Sequence, residues 1–153
     1  MIKNNYNLRE VEYSDLDKGI LKLISQLSTL GVTYEKAKWE FDSYCEQISN
    51  NKNQKHYVIE VDGIVVASGT LLIENKIIHD FKNVGHIEDI IIHKNYRKKG
   101  YGKIIMEKLI DVAKNSHCYK VILNCNPECE NFYKKFGLSK KYIQMARYFK
   151  VLT

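Results

Sequence analysis

An isoleucine-rich segment at residues 86–93 precedes a basic, glycine-containing turn at residues 97–102, which leads into a helical pattern at residues 102–115. In the last segment Ile105, Leu109 and Val112 fall on one helix face, which predicts an amphipathic helix packed on a sheet. The short apolar run at residues 120–124 predicts a strand directly after that helix. A strand, a helix and a strand in this order favour a right-handed crossover and parallel pairing.

The first half of the chain predicts an antiparallel hairpin. Residues 57–61 and 64–67 have strand-like patterns, and Asp62 and Gly63 between them form a favoured two-residue turn. Residues 71–74 continue the second strand, and residues 6–13 have the character of an additional strand. A mixed sheet follows from the two kinds of pairing.

Two helices are predicted between residue 14 and the polar loop at residues 50–54. Ser14 and Asp15 offer an N-cap for the first, which ends at Gly31. Its apolar positions recur at helical spacing: Leu16, Ile20, Leu23, Ile24 and Leu27. Thr33 caps the second, whose apolar positions are Trp39, Phe41 and Ile48.

The last part of the chain predicts a helix at residues 128–136, which Gly137 ends, and a final strand at residues 142–152. The complete order is β-α-α-β-β-β-α-β-α-β. The fold class is therefore α/β (α+β), with a mixed central sheet flanked by helices on both faces and one domain over residues 1–153.

Composition narrows the classes of partner. The 153 residues carry a net charge of +6 and a pI of about 9.0, which fits a nucleic-acid surface, a solvated basic surface or a pocket for an anionic small molecule. The basic residues are spread along the chain without a nucleic-acid motif, so we expect no nucleic acid. The four cysteines form no CxxC pair, which predicts free thiols and no metal. No secretory signal and no membrane-spanning apolar run are visible, so a cytoplasmic location is expected.

The turn at residues 97–102 has the pattern R-x-x-G-x-G and predicts a phosphate site. Its glycines allow close backbone approach to a ligand, and the following helix directs free N–H groups at an anion. A plain basic turn before a helix is the alternative interpretation. The residues assigned to a pyrophosphate-containing cofactor are Arg97, Lys98, Lys99, Gly100, Tyr101, Gly102 and Lys103.

These residues and the order of elements resemble the GNAT acetyltransferases, in which such a turn holds the pyrophosphate of acetyl-CoA. Four further segments resemble glucosamine-6-phosphate N-acetyltransferases: G-H-I-E-D-I at residues 85–90, E-N-K-I-I-H at 74–79, C-Y-K-V-I-L at 118–123, and N-F-Y-K-K-F-G at 131–137. The resemblance implies the GNAT fold, acetyl-CoA as co-substrate without a metal, and glucosamine 6-phosphate as acceptor on the route to UDP-N-acetylglucosamine. It also implies a homodimer whose C-terminal strands and active sites lie at the interface.

The same resemblance implies roles for individual residues. Tyr133 is the general acid that protonates the departing thiolate, and Asn131 contacts the cofactor beside it. The strand before the turn meets the cofactor through the backbone of Ile90, Ile91 and Ile92, whose side chains belong to the core. Glu88 and Asp89 orient the acceptor amine or a water, although adjacent strand residues face opposite ways unless a bulge intervenes.

Acceptor-binding residues follow from the resemblance too: Ser28, Lys76, Ile77, Ile78, His79, Glu88, Asp89, Asn124 and Arg147. Asn124 stands where the family has an aspartate, and an amide carries no negative charge. A GNAT enzyme with another amine acceptor, such as a protein amino group or a polyamine, is one alternative function. A non-catalytic acyl-CoA sensor is the other, and it is disfavoured because Tyr133, Glu88 and Asp89 are all present.

Overall fold

The structure is a computed structural model that describes residues 5–150. The chain forms two compact units, one that extends to Leu123 and one that begins at Asn124. Each unit is described by itself below.

The first unit is built on a five-stranded sheet with the strand order β1-β2-β3-β4-β5. The strands are β1 (Asn7–Glu10), β2 (Gln54–Val61), β3 (Ile64–Glu74), β4 (Asn83–Ile92) and β5 (Cys118–Ile122). Neighbours from β1 to β4 pair antiparallel, whereas β4 and β5 pair parallel around the crossover helix. The predicted mixed sheet is thus confirmed. Strand β2 is longer than predicted and β3 runs without a break, whereas β1 is shorter than the predicted 6–13 and β5 begins and ends earlier than the predicted 120–124.

Helices cover both faces of this sheet. Helix α1 (Ile20–Ile24) and helix α2 (Tyr34–Asn50) enclose one apolar cluster, and helix α3 (Tyr101–Asn115) lies on the opposite face. The cluster on the α1 and α2 face joins residues of helices and strands: Leu16, Ile20, Leu23, Phe41, Cys45, Val58, Val65 and Ile91. On the α3 face Ile105, Met106 and Leu109 are fully buried. Burial of apolar side chains on both faces stabilises the layered arrangement.

The hairpin between β2 and β3 turns where the sequence predicts. Asp62 and Gly63 have φ values of 50° and 78°, which a two-residue hairpin turn with both central residues at positive φ requires. Val61 pairs with Ile64 across the turn.

The prediction of one helix up to Gly31 is wrong. A 3₁₀ turn at Tyr13–Leu16 comes first, Gly19 then takes a φ of 86°, and α1 lasts only five residues. Asp15 is not an N-cap for α1, because its buried carboxylate accepts two hydrogen bonds from the Arg9 guanidinium at 2.6 and 2.9 Å. The pKa of Arg9 is raised chiefly by the hydrogen bond to Asp15. This ion pair ties the turn to β1, and Gly19 interrupts the helical path.

Helix α2 begins where it was predicted. Thr33 caps it by accepting a hydrogen bond from the backbone N–H of Lys36 at 3.4 Å. Phe41 and Ile48 are buried as expected, but Trp39 is 68% exposed. The buried stripe runs through Ala37, Phe41, Cys45 and Ile48. Trp39 is two residues from Phe41 and therefore points away from this face.

The second unit contains a 3₁₀ turn at Pro127–Cys129 and the short helix α4 (Glu130–Lys134), followed by Gly137 at a φ of 79°. The predicted strand at residues 142–152 is wrong for its described part, since residues 142–150 carry no strand, and residues 151 and 152 lie outside the described residues. Five large apolar side chains of this segment are between 75% and 93% exposed: Tyr142, Ile143, Met145, Tyr148 and Phe149. A strand pattern alone forms no ladder, because backbone pairing needs a neighbouring edge.

Candidate active site

A β-bulge interrupts β4 at its two acidic residues. Thr70 of β3 pairs with Glu88, and Ser68 pairs with Ile91, so Gly69 alone faces two residues of β4. One of those two, Asp89, has a φ of 52°. An extra residue in one strand reverses the alternation of side chains on either side of it.

The bulge brings the two carboxylates toward one face of the sheet. Glu88 lies opposite Thr70 and so shares its face, and Asp89 lines a cavity together with Thr70. In a regular strand adjacent residues would face opposite layers. A bulge therefore intervenes at these two acids, with Asp89 in the cavity wall and half-buried Glu88 beside it.

This cavity, of about 300 Å³, lies between the sheet and the α1 and α2 layer. Its wall is apolar and comes from α1, α2 and the segment between them: Leu21, Ile24, Leu30, Val32, Ala37 and Phe41. Its polar lining is Glu40, Tyr44, His56, Ser68, Thr70 and Asp89. A concave site with apolar walls and a few convergent polar groups is typical of small-molecule binding.

Sequence reasoning missed five of these six polar residues: Glu40, Tyr44, His56, Ser68 and Thr70. The available signal was the Ser-Gly-Thr run at residues 68–70, which lies between two apolar stretches of a single long strand. Small polar residues inside a buried strand indicate that something polar is satisfied there.

A hydrogen-bonded chain in the cavity floor joins four of these residues: Tyr44, His56, Ser68 and Thr70. The Tyr44 hydroxyl lies 2.8 Å from Nδ1 of His56, and Nε2 of His56 lies 2.6 Å from Oγ of Ser68. Burial lowers the pKa of His56 to about 4, so the ring is neutral at neutral pH. Burial also raises the pKa of Tyr44 to about 12, against a smaller opposing effect of a hydrogen bond with Thr70.

The basic turn has the backbone that a phosphate site requires. Gly100 takes a φ of 92° at the N-terminus of α3, and no side chain caps this end. The first backbone N–H groups of a helix have no partner within the helix, so they are available to an anion. Arg97, Lys98 and Lys99 are exposed around them, with Lys99 over the ring of Tyr96 at 5.0 Å.

Two predicted cofactor residues are otherwise engaged. Tyr101 is 2% exposed and packs edge-on against Tyr6, which makes its side chain part of the core and leaves only its backbone for a ligand. Lys103 lies 3.6 Å from Glu107, one helical turn along α3. Gly102 stands between them in the first turn of the helix.

The strand that leads to the turn has a free edge. Parallel pairing of β4 with β5 ends at His86 and Ile122, whereas β4 continues to Ile92. Residues 90–92 therefore have no ladder partner in β5, although the Ile92 carbonyl accepts a hydrogen bond from Nε of Arg97 at 3.2 Å. Contact of this backbone with a cofactor arm stays a prediction. Ile91 is 5% exposed in the α1 and α2 cluster, so its side chain is core as predicted.

The structure places the residues predicted to bind a sugar phosphate in one loop after β3 but gives them local partners. Lys76 forms an ion pair with Glu74, whose carboxylate also accepts from Nε2 of His86 at 2.8 Å. The His79 ring packs on Tyr119 with centroids 4.2 Å apart. Ile77 and Ile78 are 79% and 60% exposed in the same loop. None of these four predicted residues is among those that line the cavity.

Ser28 lies in the segment between α1 and α2 and is exposed. The same segment contributes Leu30 and Val32 to the cavity wall. It is tied to the 3₁₀ turn at Lys94–Tyr96, which precedes the basic turn, because the side-chain oxygen of Gln26 accepts a hydrogen bond from the backbone N–H of Lys94 at 3.1 Å.

Four predicted site residues belong to the second unit: Asn124, Asn131, Tyr133 and Arg147. Tyr133 lies in α4 with its ring centroid 5.0 Å from that of Phe132, and burial raises its pKa to about 12. A phenol of this kind keeps its proton at neutral pH and can donate it. Asn131 is exposed, and Arg147 lies over the ring of Phe149 at 5.3 Å.

Two further observations concern the whole described range. Across residues 5–150, no group of three or more His, Cys, Asp or Glu side chains is arranged to hold a metal ion. No helix in that range is both long and apolar enough to span a bilayer.

Comparison with known proteins gives consistent matches. The family model for the acetyltransferase (GNAT) family matches residues 21–138. The glucosamine 6-phosphate N-acetyltransferase of Arabidopsis thaliana is 37% identical over 147 residues, which cover 94% of this chain and 97% of that protein. The protein of the same name from Candida albicans is 37% identical over 148 residues, 95% of this chain and 97% of its own length. The crystal structure of the Arabidopsis enzyme superposes with a TM-score of 0.88 at 39% identity and covers 96% of this chain and 100% of that one.

Proposed function

The chain belongs to the GNAT acetyltransferase family and has its fold, and from that premise we propose that it acetylates the amine of glucosamine 6-phosphate to give N-acetylglucosamine 6-phosphate. The observation that carries the acceptor is the 37% identity with glucosamine 6-phosphate N-acetyltransferases over nearly their whole length. The product would feed the synthesis of UDP-N-acetylglucosamine.

Acetyl-CoA, the co-substrate of this family, supplies an acetyl group activated as a thioester. The exposed basic residues 97–99 and the uncapped start of α3 are suited to its pyrophosphate, because backbone N–H groups and positive charge meet there. The free edge of β4 supports a second set of contacts. Those backbone N–H groups of residues 90–92 that point away from β3 would stabilise negative charge that develops on the carbonyl oxygen as the amine attacks.

The acids at the bulge suit the amine side of the reaction. Asp89 in the cavity wall and Glu88 beside it would hold the acceptor nitrogen and receive its proton, directly or through a water. Tyr133, which burial keeps protonated at neutral pH, would donate a proton to the departing thiolate. We propose direct attack within a ternary complex of protein, acetyl-CoA and acceptor. Intersecting rather than parallel double-reciprocal plots in initial-rate kinetics would be the expected result.

The acceptor assignment is tested by thiol release from acetyl-CoA with glucosamine 6-phosphate and with free glucosamine on one preparation. A charge-assisted hydrogen bond contributes about 1.5–3 kcal/mol, and a phosphate makes several. Since each 1.4 kcal/mol is about tenfold, free glucosamine should have a kcat/KM at least about a hundredfold lower. Comparable values would overturn the sugar-phosphate acceptor and leave the acetyltransferase activity standing. The comparison of the two sugars also tests Asn124, which replaces the aspartate of the resembled motif.

We further propose a homodimer. The exposed apolar segment at residues 142–150 supports it, because a second copy would cover side chains that are otherwise in water. Light scattering at micromolar concentration should give twice the chain mass, and a charge introduced by Tyr148→Lys should shift the species toward the monomer. A cytoplasmic location stays a prediction from the sequence.

A further inference from the structure

A hydrogen-bonded chain anchors both residues that flank the glycine opposite the bulge. His56 holds Ser68 at 2.6 Å, and Tyr44 contacts both His56, at 2.8 Å, and Thr70. Ser68 and Thr70 are the residues on either side of Gly69, at the point where the register between β3 and β4 shifts. The anchors come from a different strand, β2, and from α2.

The four residues of this hydrogen-bonded chain are largely buried. His56, Ser68 and Thr70 are 4%, 2% and 6% exposed. The Tyr44 ring is held by aromatic neighbours, stacked on Phe41 with centroids 6.4 Å apart and edge-on to His56 at 5.7 Å. Buried polar networks that are fully satisfied restrict a structure to one arrangement, because any displacement leaves a donor or acceptor unpaired.

Because the His56 ring is neutral, the hydrogen bonds of this network all run in one donor-to-acceptor direction. A neutral imidazole offers one donor and one acceptor. When Tyr44 donates to Nδ1, Nε2–H of His56 donates to Ser68, and the Ser68 hydroxyl is left to donate toward the cavity. The carboxylates of Asp89 and Glu40 line that cavity and favour this direction over the reverse. The carboxylate of Asp15 also acts on His56 but does not outweigh its burial, so the ring stays neutral.

We infer that His56 is a positioning residue for acetyl transfer: together with Tyr44 it fixes Ser68 and Thr70, and through them the β4 bulge that presents Asp89 and Glu88 to the acceptor. His56 itself exchanges no proton with the substrate. The inference rests on the proposed function for the role of the two acids, and its structural part stands on the hydrogen bonds alone.

Loss of these hydrogen bonds should therefore lower kcat and leave KM for acetyl-CoA nearly unchanged. The basic turn and α3, which would bind acetyl-CoA, lie outside the hydrogen-bonded chain, so loss of the chain should leave KM for acetyl-CoA within about twofold. Misplacement of a reacting group by about 1 Å can cost about a hundredfold in rate. We expect His56→Gln and Ser68→Ala to lower kcat at least about tenfold, while Ser68→Thr, which retains the hydroxyl, stays within about threefold.

Tyr57→Phe is the matched control. Tyr57 follows His56 in β2 and pairs with Gly69 in the register, so it lies as close to the bulge as His56 does. Its ring faces the α3 side, under Lys108 at 4.9 Å, and its hydroxyl is 3.5 Å from Glu10, so it takes no part in the hydrogen-bonded chain. The Tyr57→Phe variant loses one phenolic hydroxyl, as the Tyr44→Phe variant does. Wild-type kcat for Tyr57→Phe with a reduced kcat for Tyr44→Phe is the expected pair.

The experiment measures kcat and KM by thiol release for these variants and amide hydrogen exchange by mass spectrometry over residues 68–70 and 88–91. Exchange should become at least about tenfold faster in His56→Gln and Ser68→Ala and remain unchanged in Tyr57→Phe. Kinetics use whichever amine the wild type acetylates best, so a wrong acceptor assignment shows as a different amine and not as a failure here. Unchanged exchange at the bulge in His56→Gln would overturn the inference even without turnover data. So would an acid limb near pH 6–7 in the wild-type kcat profile that disappears in His56→Gln, since that result would make His56 a proton-transfer catalyst.

Discussion

Gly69→Ala should destabilise the protein through overpacking between β3 and α3. A β-carbon at residue 69 would lie 2.6 Å from Cδ1 of Ile90, 2.7 Å from Cγ2 of Ile105 and 3.1 Å from Cδ1 of Leu109. The Ile90 atom ends a flexible side chain and can rotate away. Cγ2 of Ile105 belongs to a β-branched residue with 0% exposure and has no free space to enter.

The magnitude follows from these contacts. Carbon atoms pack at about 3.5–4.0 Å, so the Ile105 atom and its helix must withdraw by about 1 Å. Overpacking of this kind costs about 1–3 kcal/mol. For a chain of this size each 1 kcal/mol lowers Tm by about 2–4 °C, so Gly69→Ala should melt about 2–12 °C below the wild type. Chemical denaturation should show a lower midpoint at an unchanged m-value.

Gly31→Ala is the matched control, because no atom lies within 4 Å of a β-carbon there and its φ is in the ordinary range. Both substitutions gain about 0.4–1 kcal/mol from a less flexible unfolded chain, so their difference isolates the packing cost. Ile105→Ala removes the obstructing atom, and the double variant with Gly69→Ala should be more stable than the sum of the single effects by about 0.5–3 kcal/mol. Equal stability of Gly69→Ala and Gly31→Ala would refute the reasoning.

Three further outcomes are expected. Gly100→Glu should abolish CoA binding in a calorimetric titration, because it puts a side chain and a negative charge at a backbone position with a φ of 92°, and undiminished affinity would remove this turn from the cofactor site. Tyr133→Phe should lower kcat by about 10²–10⁴-fold with acetyl-CoA affinity retained, and wild-type turnover would exclude Tyr133 as the general acid. The pKa of His56 is about 4 in the folded protein and ordinarily 6.5, so the unfolded chain binds more protons between these values, and stability should fall as pH drops from about 6.5 toward 4. The loss is on the order of 3 kcal/mol at most, and urea denaturation of His56→Gln at pH 7 and pH 5 should lack it, whereas equal slopes in both proteins would contradict the assignment.

Much of the first unit could be predicted because local patterns and pairing agree. The turn at Asp62 and Gly63, the cap at Thr33 and the crossover around α3 each depend on a few neighbouring residues. The break of the first helix could not be predicted in this way. It depends on Gly19 and on the pairing of Asp15 with Arg9, a contact that exists only once β1 has joined the sheet.

In the candidate site, too, features formed by neighbouring residues could be predicted and features formed by distant residues could not. The basic turn was visible because its chemistry is contained in six consecutive residues. The cavity floor was not visible in the sequence, because its residues Tyr44, His56 and Ser68 come from three separate elements that only the fold brings together. The bulge at Asp89 could be predicted only in part. Its two acids were visible in the sequence, but the pairing of two β4 residues with one β3 residue depends on both strands.

That register also affects how this protein can change by mutation. A substitution at residue 89 alters which side chain stands at the bulge, but the count of two β4 residues against Gly69 remains. Deletion of the single codon for Asp89 would remove the extra residue and return β4 to regular alternation, with a continuous strand and without the Asp89 carboxylate in the cavity wall. Lineages that accumulate only substitutions at residue 89 would therefore keep the two-against-one register, whereas one in-frame deletion would remove both this register and the carboxylate on which the proposed acceptor site depends.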